Sequence, residues 1–196
     1  MQDKKIILIA GSARAGKDTV ADIIVSKVDK VTILHYADLM KEILAETLGM
    51  SLEELEDRKN SGLYAHRKYL QRFGMKMREV FGEDIWVNKL KQIIQHIPSD
   101  HLIVIPDFRL PNEALDGATT IKVVNPNIAK KDTHISENAL SNFEFDIIVV
   151  NDGTLEQLED KVKDILKELI VSNKLPSTIL NTYIEEKKKE ELNEQK

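Results

Sequence analysis

The stretch ILIAGSARAGKDTVADII, residues 7–24, decides the fold because its character changes twice. An apolar run ends at Gly11, and apolar residues return after Lys17 at the three- and four-residue spacing of a helix. Gly11, Gly16 and Lys17 fit the pattern G-x-x-x-x-G-K between a strand and a helix, which is the context that this pattern requires. Glycines let the backbone approach an anion closely, and the first helical turn offers free N–H groups. The stretch predicts a phosphate-binding loop; the alternative is a glycine-rich turn with a solvated lysine.

The predicted loop is a candidate binding site for the phosphates of ATP. The residue directly after the lysine is commonly Ser or Thr, whose hydroxyl binds Mg²⁺, but here Asp18 takes that position and Thr19 follows. Asp18 and Thr19 are therefore candidate Mg²⁺ ligands, directly or through water, and a helix cap is the alternative for Asp18. The candidate ATP-binding residues are Gly11, Ala13, Arg14, Ala15, Gly16, Lys17, Asp18 and Thr19.

The rest of the chain alternates between two patterns. Apolar runs rich in β-branched residues predict strands at 5–10, 31–35, 102–105, 120–124 and 146–150. Helical spacing predicts helices at 19–28, 38–48, 51–59, 64–81, 84–96 and 154–171. Because the strands do not alternate with polar residues, they are typical of a parallel sheet buried on both faces. We predict a doubly wound α/β fold of the phosphate-loop type, with a five-stranded parallel sheet and helices on both faces.

Length and composition limit the classes of protein. A chain of 196 residues that is 42% hydrophobic predicts one domain over 1–175, with a helical insertion at about 38–97, a polar segment at about 125–143 and a charged tail at 176–196. No cysteine is present, which excludes disulfides and thiolate chemistry. No run approaches the roughly 18 apolar residues of a membrane span, so we expect a cytoplasmic protein without a membrane partner. A net charge of −5 argues against nucleic-acid polymers as partners.

A second charged motif follows the third predicted strand, in IVIPDFRLPNE at residues 103–113. Asp107 and Arg109 lie just beyond the carboxyl end of that strand, where open α/β sheets bind their ligands. The pattern favours a small-molecule kinase with an acidic residue near Mg²⁺ and an arginine near the acceptor phosphate; a salt bridge or a helix cap is the alternative. A GTPase is disfavoured because the Asn-Lys pairs of the chain continue into Leu90 and Leu175 rather than into Asn-Lys-x-Asp.

Six stretches together resemble the deoxynucleoside monophosphate kinases of tailed bacteriophages, which are relatives of adenylate kinase. In chain order they are GSARAGKDTVAD, ADLMK, LQRFG leading to DIWV, PDFRLPNE, DTHISENAL and IIVVNDGTLEQL, spread over most of residues 5–170. Only the first is specific by itself, but six in order are far more specific than a phosphate loop alone. The resemblance implies transfer of a phosphoryl group from ATP to a deoxynucleoside monophosphate with Mg²⁺, in the host cytoplasm if a phage encodes the chain.

The resemblance also implies roles for individual residues. Lys17, Asp107 and Arg109 would be catalytic, with Asp107 near Mg²⁺ and Arg109 on the acceptor phosphate. The helical insertion would act as the acceptor-binding part and the polar segment as a lid. The implied substrate contacts are Lys41, Arg67, Gln71, Trp86, Asp107, Arg109 and Glu113. The implied lid residues are Lys130, Lys131, His134 and Glu137, and the residues implied near the adenine of ATP are Asn151 and Gly153.

Several of these assignments keep an alternative. Lys41 is also typical of an ordinary surface lysine, Trp86 of a core residue, and Asn151 with Gly153 of a turn before a helix. Asn125 stands where a lid arginine is expected, and a lysine does not reproduce the planar fork of a guanidinium. Two other functions stay open: another small kinase of this fold, acting on dephospho-coenzyme A or phosphomevalonate, and an ATP-binding regulatory protein without catalysis. A homodimer is also left open.

Overall fold

The computed structural model describes residues 4–60, 65–128 and 139–179. Within it the chain divides into two compact units. The sheet unit combines the chain before residue 34 with the chain after residue 96, and the helical unit is Leu34–His96. The insertion that the sequence predicts at about 38–97 corresponds to the helical unit, which begins four residues earlier. That the two units form a single domain stays a prediction.

Five parallel strands form the sheet unit, in the order β2-β3-β1-β4-β5. They are β1 (Lys5–Ala10), β2 (Val31–Ile33), β3 (Leu102–Ile105), β4 (Thr119–Val124) and β5 (Ile147–Val150). β1 lies at the centre, with Leu8 opposite Ile105 of β3 and Ala10 opposite Lys122 of β4. The predicted five-stranded parallel sheet of the α/β class is confirmed. Because all strands run the same way, the segments that follow them meet at one edge of the sheet, which we call the carboxyl edge.

Two helices of this unit pack on one face of the sheet. They are α1 (Lys17–Lys27) and α6 (Leu155–Val171), and their apolar sides share one core with alternate strand residues such as Ile7, Ile9 and Val104. An ion pair between Lys27 and Glu159, 2.5 Å from Nζ to Oε1, joins the two helices at their surface. Helices on the second face as well, the other half of the prediction, stay a prediction.

The start of α6 is fixed by a reciprocal capping arrangement. The backbone N–H of Thr154 donates to Gln157 Oε1 at 2.9 Å, and the backbone N–H of Gln157 donates to Thr154 Oγ1 at 3.2 Å. Such a pair satisfies backbone donors that a helix leaves open at its amino end. A Cβ at Gly153 would lie 2.0 Å from Gln157 Oε1, so a larger residue there would displace the capping side chain.

The helical unit contains four helices: α2 (Tyr36–Leu48), α3 (Leu52–Asn60), α4 (Ala65–Phe81) and α5 (Ile85–His96). They agree with the predicted helices to within two residues at each end. α2 contacts the other three helices, and it ends at Gly49, whose φ of +64° is the left-handed geometry typical of a helix C-terminus. Leu44 and Ala45 of α2 pack on Leu55 of α3 in a small separate core.

No helix in the part of the chain that the structure describes is both long and apolar enough to cross a membrane. The end of the tail, residues 180–196, and most of the predicted lid, residues 129–138, lie outside the described residues.

Candidate active site

The 11–16 loop joins the central strand β1 to α1 at the carboxyl edge. Gly11 must be a glycine there, because a Cβ would lie 2.4 Å from the carbonyl oxygen of Val123 in β4. Gly16 has a φ of +100° and precedes the first residue of α1. The N–H groups of the first turn of a helix have no acceptor within the helix, and the helix dipole makes this end positive. The arrangement suits an anion such as a phosphate.

Lys17 lies across this loop. Its side chain is buried, with 8% exposed, and Nζ donates to the carbonyl oxygen of Ser12 at 2.9 Å. The ammonium group is therefore held over the loop rather than in solvent. Arg14 adopts a φ of +65°, which turns the loop sharply at a residue that is not glycine.

The segment after β3 lies directly beside β1. The backbone N–H of Phe108 donates to the carbonyl oxygen of Ile9 at 3.3 Å, one residue before the last residue of β1. Asp107 and Arg109, both half-buried, flank Phe108. The candidate catalytic residues Lys17, Asp107 and Arg109 thus come from two neighbouring strand ends at the same edge.

Phe108 anchors that segment in the core. It is 1% exposed, and its ring packs edge-on against Phe143 at 5.2 Å and Phe145 at 6.2 Å between centroids. The Nζ atom of Lys122 lies 5.3 Å from the centroid of Phe145. Edge-to-face aromatic contacts of this kind stabilise by about 0.5–1.5 kcal/mol beyond burial. The cluster holds the segment after β3 against the segment that leads into β5.

Glu113 belongs to the same segment but faces inward. Its carboxylate is 3% exposed and accepts hydrogen bonds from the backbone N–H groups of Arg109, at 2.8 Å, and Leu110, at 3.0 Å. The side chain therefore shapes the turn that carries Arg109, a role that the sequence analysis missed. Its predicted contact with a substrate stays a prediction.

Asn151 follows β5 at the carboxyl edge and reaches the 11–16 loop. Its Nδ2 atom donates to the carbonyl oxygen of Ala15 at 3.0 Å. The sequence analysis missed this contact, although an asparagine directly after a parallel strand was a usable signal, since the carboxyl ends of all strands share one edge. The predicted position of Asn151 and Gly153 near adenine stays a prediction.

A cleft of about 440 Å³ lies beside the residues that directly follow Asn151 in the sequence. It is lined by Asp152, Gly153, Gln157, Asp160 and Lys161. A second cleft, of about 490 Å³, includes Lys5 and Thr119, the first residues of β1 and β4, so it lies at the opposite edge of the sheet. Of these two clefts, the one lined by Asp152 and Gly153 lies at the carboxyl edge, as the 11–16 loop does.

Magnesium requires oxygen ligands, and the candidate residues supply them. Asp18 is exposed and Thr19 half-buried in the first turn of α1, and Asp107 follows β3 at the same edge. Among residues 4–60, 65–128 and 139–179, no group of three or more His, Asp or Glu residues is arranged to hold a metal. Mg²⁺ usually keeps several waters and binds through one or two carboxylates plus substrate phosphates, so these residues fit the ion without such a cluster.

In the helical unit, Lys41 is held by two carboxylates. Nζ lies 2.8 Å from Asp38 Oδ1 and 2.7 Å from Glu56 Oε1, which ties α2 to α3. Burial lowers the pKa of Lys41, but the hydrogen bonds and charges of Asp38 and Glu56 outweigh burial, so the pKa is raised above its ordinary value of 10.5. The predicted contact of Lys41 with an acceptor stays a prediction.

Trp86 of α5 lies in the core, the alternative that the sequence left open. It is 1% exposed, Nε1 donates to the carbonyl oxygen of Gly74 at 3.2 Å, and its ring lies 6.1 Å from that of Phe73. Gln71 is half-buried on α4. The side chain of Arg67 lies outside the described residues, as do Lys130, Lys131, His134 and Glu137 of the predicted lid.

Comparison with known proteins identifies the family. A family model for deoxynucleotide monophosphate kinase matches residues 50–162, which is more than half of the chain. The chain belongs to the deoxynucleotide monophosphate kinase family. The resemblance to the phage enzymes is thereby confirmed. The matched range contains the segment after β3 and Asn151, but not the 11–16 loop.

Individual relatives carry the same name. The deoxynucleotide monophosphate kinase of Enterobacteria phage T4 is 33% identical over 110 residues, which cover 48% of this chain and 45% of that protein. A protein of Acanthamoeba polyphaga mimivirus, provisionally given the same name, is 27% identical over 182 residues, which cover 80% of this chain and 93% of that protein. The chain spans about half the length of the phage relatives that it matches.

Among solved structures, TT1252 from Thermus thermophilus aligns with 85% of this chain and 98% of its own. The identity is 20% and the TM-score 0.48, which is too low to bear on fold or activity.

Proposed function

We propose that this chain transfers the γ-phosphoryl group of ATP to a deoxynucleoside monophosphate, giving ADP and a deoxynucleoside diphosphate. Family membership supports the reaction class. The observation that carries the proposal is the hydrogen bond from the Phe108 N–H to the Ile9 carbonyl oxygen, because it joins the segment of Asp107 and Arg109 to the strand that leads into the 11–16 loop. The two segments that we propose as phosphate-binding therefore follow adjacent strands, an arrangement that direct transfer between two phosphates requires.

The donor side of the proposed site is the 11–16 loop with the first turn of α1. The loop glycines leave room for phosphate oxygens near the backbone, and the helix end attracts negative charge. Lys17, held over the loop by Ser12, would neutralise charge on the transferring group. We assign the triphosphate of ATP to this loop.

The acceptor side is assigned to the segment after β3. The guanidinium of Arg109 has the planar fork that pairs well with a phosphate, and the turn that carries it is held by the buried carboxylate of Glu113. We assign Arg109 to the acceptor phosphate and Asp107 to the magnesium side of the site. Lys41, Arg67 and Gln71 are proposed as further acceptor contacts.

The proposed reaction depends on the alignment of the two phosphates rather than on proton transfer. An oxygen of the acceptor phosphate forms a bond to the γ-phosphorus, the bond from that phosphorus to the β–γ bridging oxygen breaks, and ADP leaves with the electron pair. The acceptor phosphate is already ionised at neutral pH, so no general base is needed. When bound, Mg²⁺ supplies charge neutralisation on the phosphate oxygens. Lys17 and Arg109 lower the repulsion between the two anions and hold them in line.

A substrate screen tests the proposal. ADP release is measured with ATP and Mg²⁺ in the presence of each common deoxynucleoside and ribonucleoside monophosphate, and also with dephospho-coenzyme A and with phosphomevalonate. We expect release that depends on at least one deoxynucleoside monophosphate and exceeds the rate without acceptor. Activity only with dephospho-coenzyme A or phosphomevalonate would assign the chain to another kinase class, and ATP binding without transfer to any acceptor would assign it to a regulatory protein. The nucleotides are the proposed partners, and the host cytoplasm the proposed location.

A further inference from the structure

We propose that Asn151 is a positioning residue that fixes the orientation of the Ala15–Gly16 peptide in the 11–16 loop, and thereby the affinity of the loop for phosphate. The inference rests on the proposed function of that loop as the ATP site. Its basis is the contact between Asn151 Nδ2 and the carbonyl oxygen of Ala15, which spans 136 positions of the chain.

The contact acts on the loop through the geometry of the peptide bond. The peptide unit is planar and trans, so its carbonyl oxygen and its N–H group point in opposite directions. When Asn151 holds the oxygen of Ala15 toward β5, the N–H of Gly16 points away from β5, toward the loop. The first carbonyl used inside α1 is that of Gly16, which accepts from Val20 at 2.9 Å, so the Ala15 oxygen lies just outside the helix.

The absence of a side chain at Gly16 makes room for Asn151. A Cβ on Gly16 would lie 2.4 Å from Asn151 Nδ2, so the amide group of Asn151 fills the space that any other residue would need there. Asn151 therefore contacts both residues of one peptide unit. It donates to the carbonyl oxygen on one side and packs against Cα on the other.

The backbone around Asn151 is itself held firmly. Its own N–H donates to the carbonyl oxygen of Val124 at 2.7 Å, which extends the pairing of β4 and β5 by one residue. On either side, Nζ of Lys161 donates to the carbonyl oxygen of Val150 at 2.7 Å and to Asp152 Oδ1 at 2.8 Å. Because the backbone of Asn151 is already fixed, only its side-chain torsions are ordered when it makes its hydrogen bond, which favours a positioning role.

The experiment compares variants of the full chain in binding two ligands, ATP and inorganic tripolyphosphate. Tripolyphosphate has the phosphates but no base, so it separates an effect on the loop from a contact with adenine. Asn151→Ala removes the donor, and Asn151→Asp puts a carboxylate against the Ala15 oxygen and near the bound phosphates. Gln157→Ala is the matched control, because it removes the hydrogen bond from the Thr154 N–H to Gln157 Oε1 at the start of α6 and leaves the contact between Asn151 and Ala15 in place. Asn151→Ser replaces Asn151→Ala if the latter does not fold.

We expect Asn151→Ala to weaken the binding of ATP and of tripolyphosphate by the same factor. That factor should be about tenfold, as for the loss of one hydrogen bond. Asn151→Asp should weaken both further, because of the added negative charge. Gln157→Ala should lower the melting temperature and leave both dissociation constants unchanged.

Three results overturn the inference. Weaker binding of ATP with unchanged binding of tripolyphosphate would make Asn151 a base contact, and a lower melting temperature with both constants unchanged would make it merely structural. A wild-type chain that binds neither ligand also overturns it. Binding that follows the expected pattern, without transfer to any deoxynucleoside monophosphate, would contradict the proposed function and support this inference.

Discussion

The carboxylate of Glu113 accepts a hydrogen bond from the backbone N–H of Arg109, with 2.8 Å between Oε2 and N. The same oxygen accepts from the N–H of Leu110 at 3.0 Å. A carboxylate that is only 3% exposed is costly unless such donors compensate its lost hydration. The turn that presents Arg109 therefore depends on the carboxyl group buried behind it.

Replacing Glu113 should disturb mainly the turn that carries Arg109. In Glu113→Ala the two half-buried N–H groups of Arg109 and Leu110 lose their acceptor, so we expect the free energy of unfolding to fall by about 1 kcal/mol. The KM for the acceptor should rise because Arg109 is less well placed. Glu113→Gln keeps an oxygen acceptor and should lie between the wild type and Glu113→Ala. Urea denaturation and steady-state kinetics measure the two effects. A raised acceptor KM at unchanged stability would instead support direct contact of Glu113 with a substrate.

Gly16 and Gly82 offer a matched pair for testing the close packing at the 11–16 loop. Their φ angles are +100° and +96°, so alanine meets similar backbone strain, about 1–2 kcal/mol, at both. A Cβ at Gly82 would meet no atom within 4 Å, whereas one at Gly16 would meet Asn151 at 2.4 Å. We expect Gly16→Ala to weaken ATP binding well beyond any effect of Gly82→Ala, as measured by titration calorimetry. Equal binding by both variants would show that the loop tolerates displacement of Asn151.

The fold was predictable because its signals are local. The limits of β3 are those expected from the apolar run of residues 102–105, which is bounded by His101 and Pro106. β2 is shorter than predicted, Val31–Ile33 instead of 31–35. This strand is at the edge of the sheet and pairs only with β3, over three residues, and α2 begins at Tyr36. Strand length at an edge depends on the partner strand, which the apolar run does not reveal.

The side-chain contacts of the candidate site were much less predictable. Asn151 and Ala15 are far apart in sequence, and no local spacing relates them. Glu113 followed a motif that suggested a substrate contact, yet its carboxylate faces the backbone of its own turn. Trp86 had two interpretations, and burial among Phe73 and Gly74 could not be inferred from helical spacing alone. Such contacts depend on the packed three-dimensional arrangement.

Lys41 gives a test that separates acceptor binding from structural pairing. Its ammonium pairs with Asp38 and Glu56, both more exposed, so we expect Lys41→Met to cost only about 0.5 kcal/mol of stability. If Lys41 also contacts the acceptor, Lys41→Met should raise the acceptor KM about tenfold or more. Glu56→Gln, the control, weakens the same pair but leaves the lysine, so its acceptor KM should stay near that of the wild type. An unchanged KM in Lys41→Met would limit Lys41 to its structural role.

The pH dependence of stability checks the ion pairs of Lys41 directly. Because its pKa is raised in the folded chain, the pairs contribute their full stability below the ordinary lysine pKa of 10.5 and lose it as the pH rises through the higher folded value. The free energy of unfolding of the wild type should therefore fall more steeply than that of Lys41→Met above pH 10.5. Parallel profiles for the two proteins would contradict the raised pKa.

Substitutions of Lys17 and Arg109 should change different kinetic constants, because we assign the two residues to the donor and acceptor sides of the proposed transfer. Lys17→Ala removes a buried ammonium above the donor loop, so we expect kcat to fall by about a hundredfold or more.

Arg109→Ala should raise the acceptor KM and lower kcat while leaving the dissociation constant of ATP within about twofold of the wild type. Arg109→Lys, which keeps the charge without the planar fork, should recover only part of the loss. Steady-state kinetics with ATP titrations measure these quantities, and circular dichroism controls for folding. Equal weakening of ATP and acceptor binding in Arg109→Ala would remove Arg109 from the acceptor side, and unchanged turnover in Lys17→Ala would remove the catalytic assignment of Lys17.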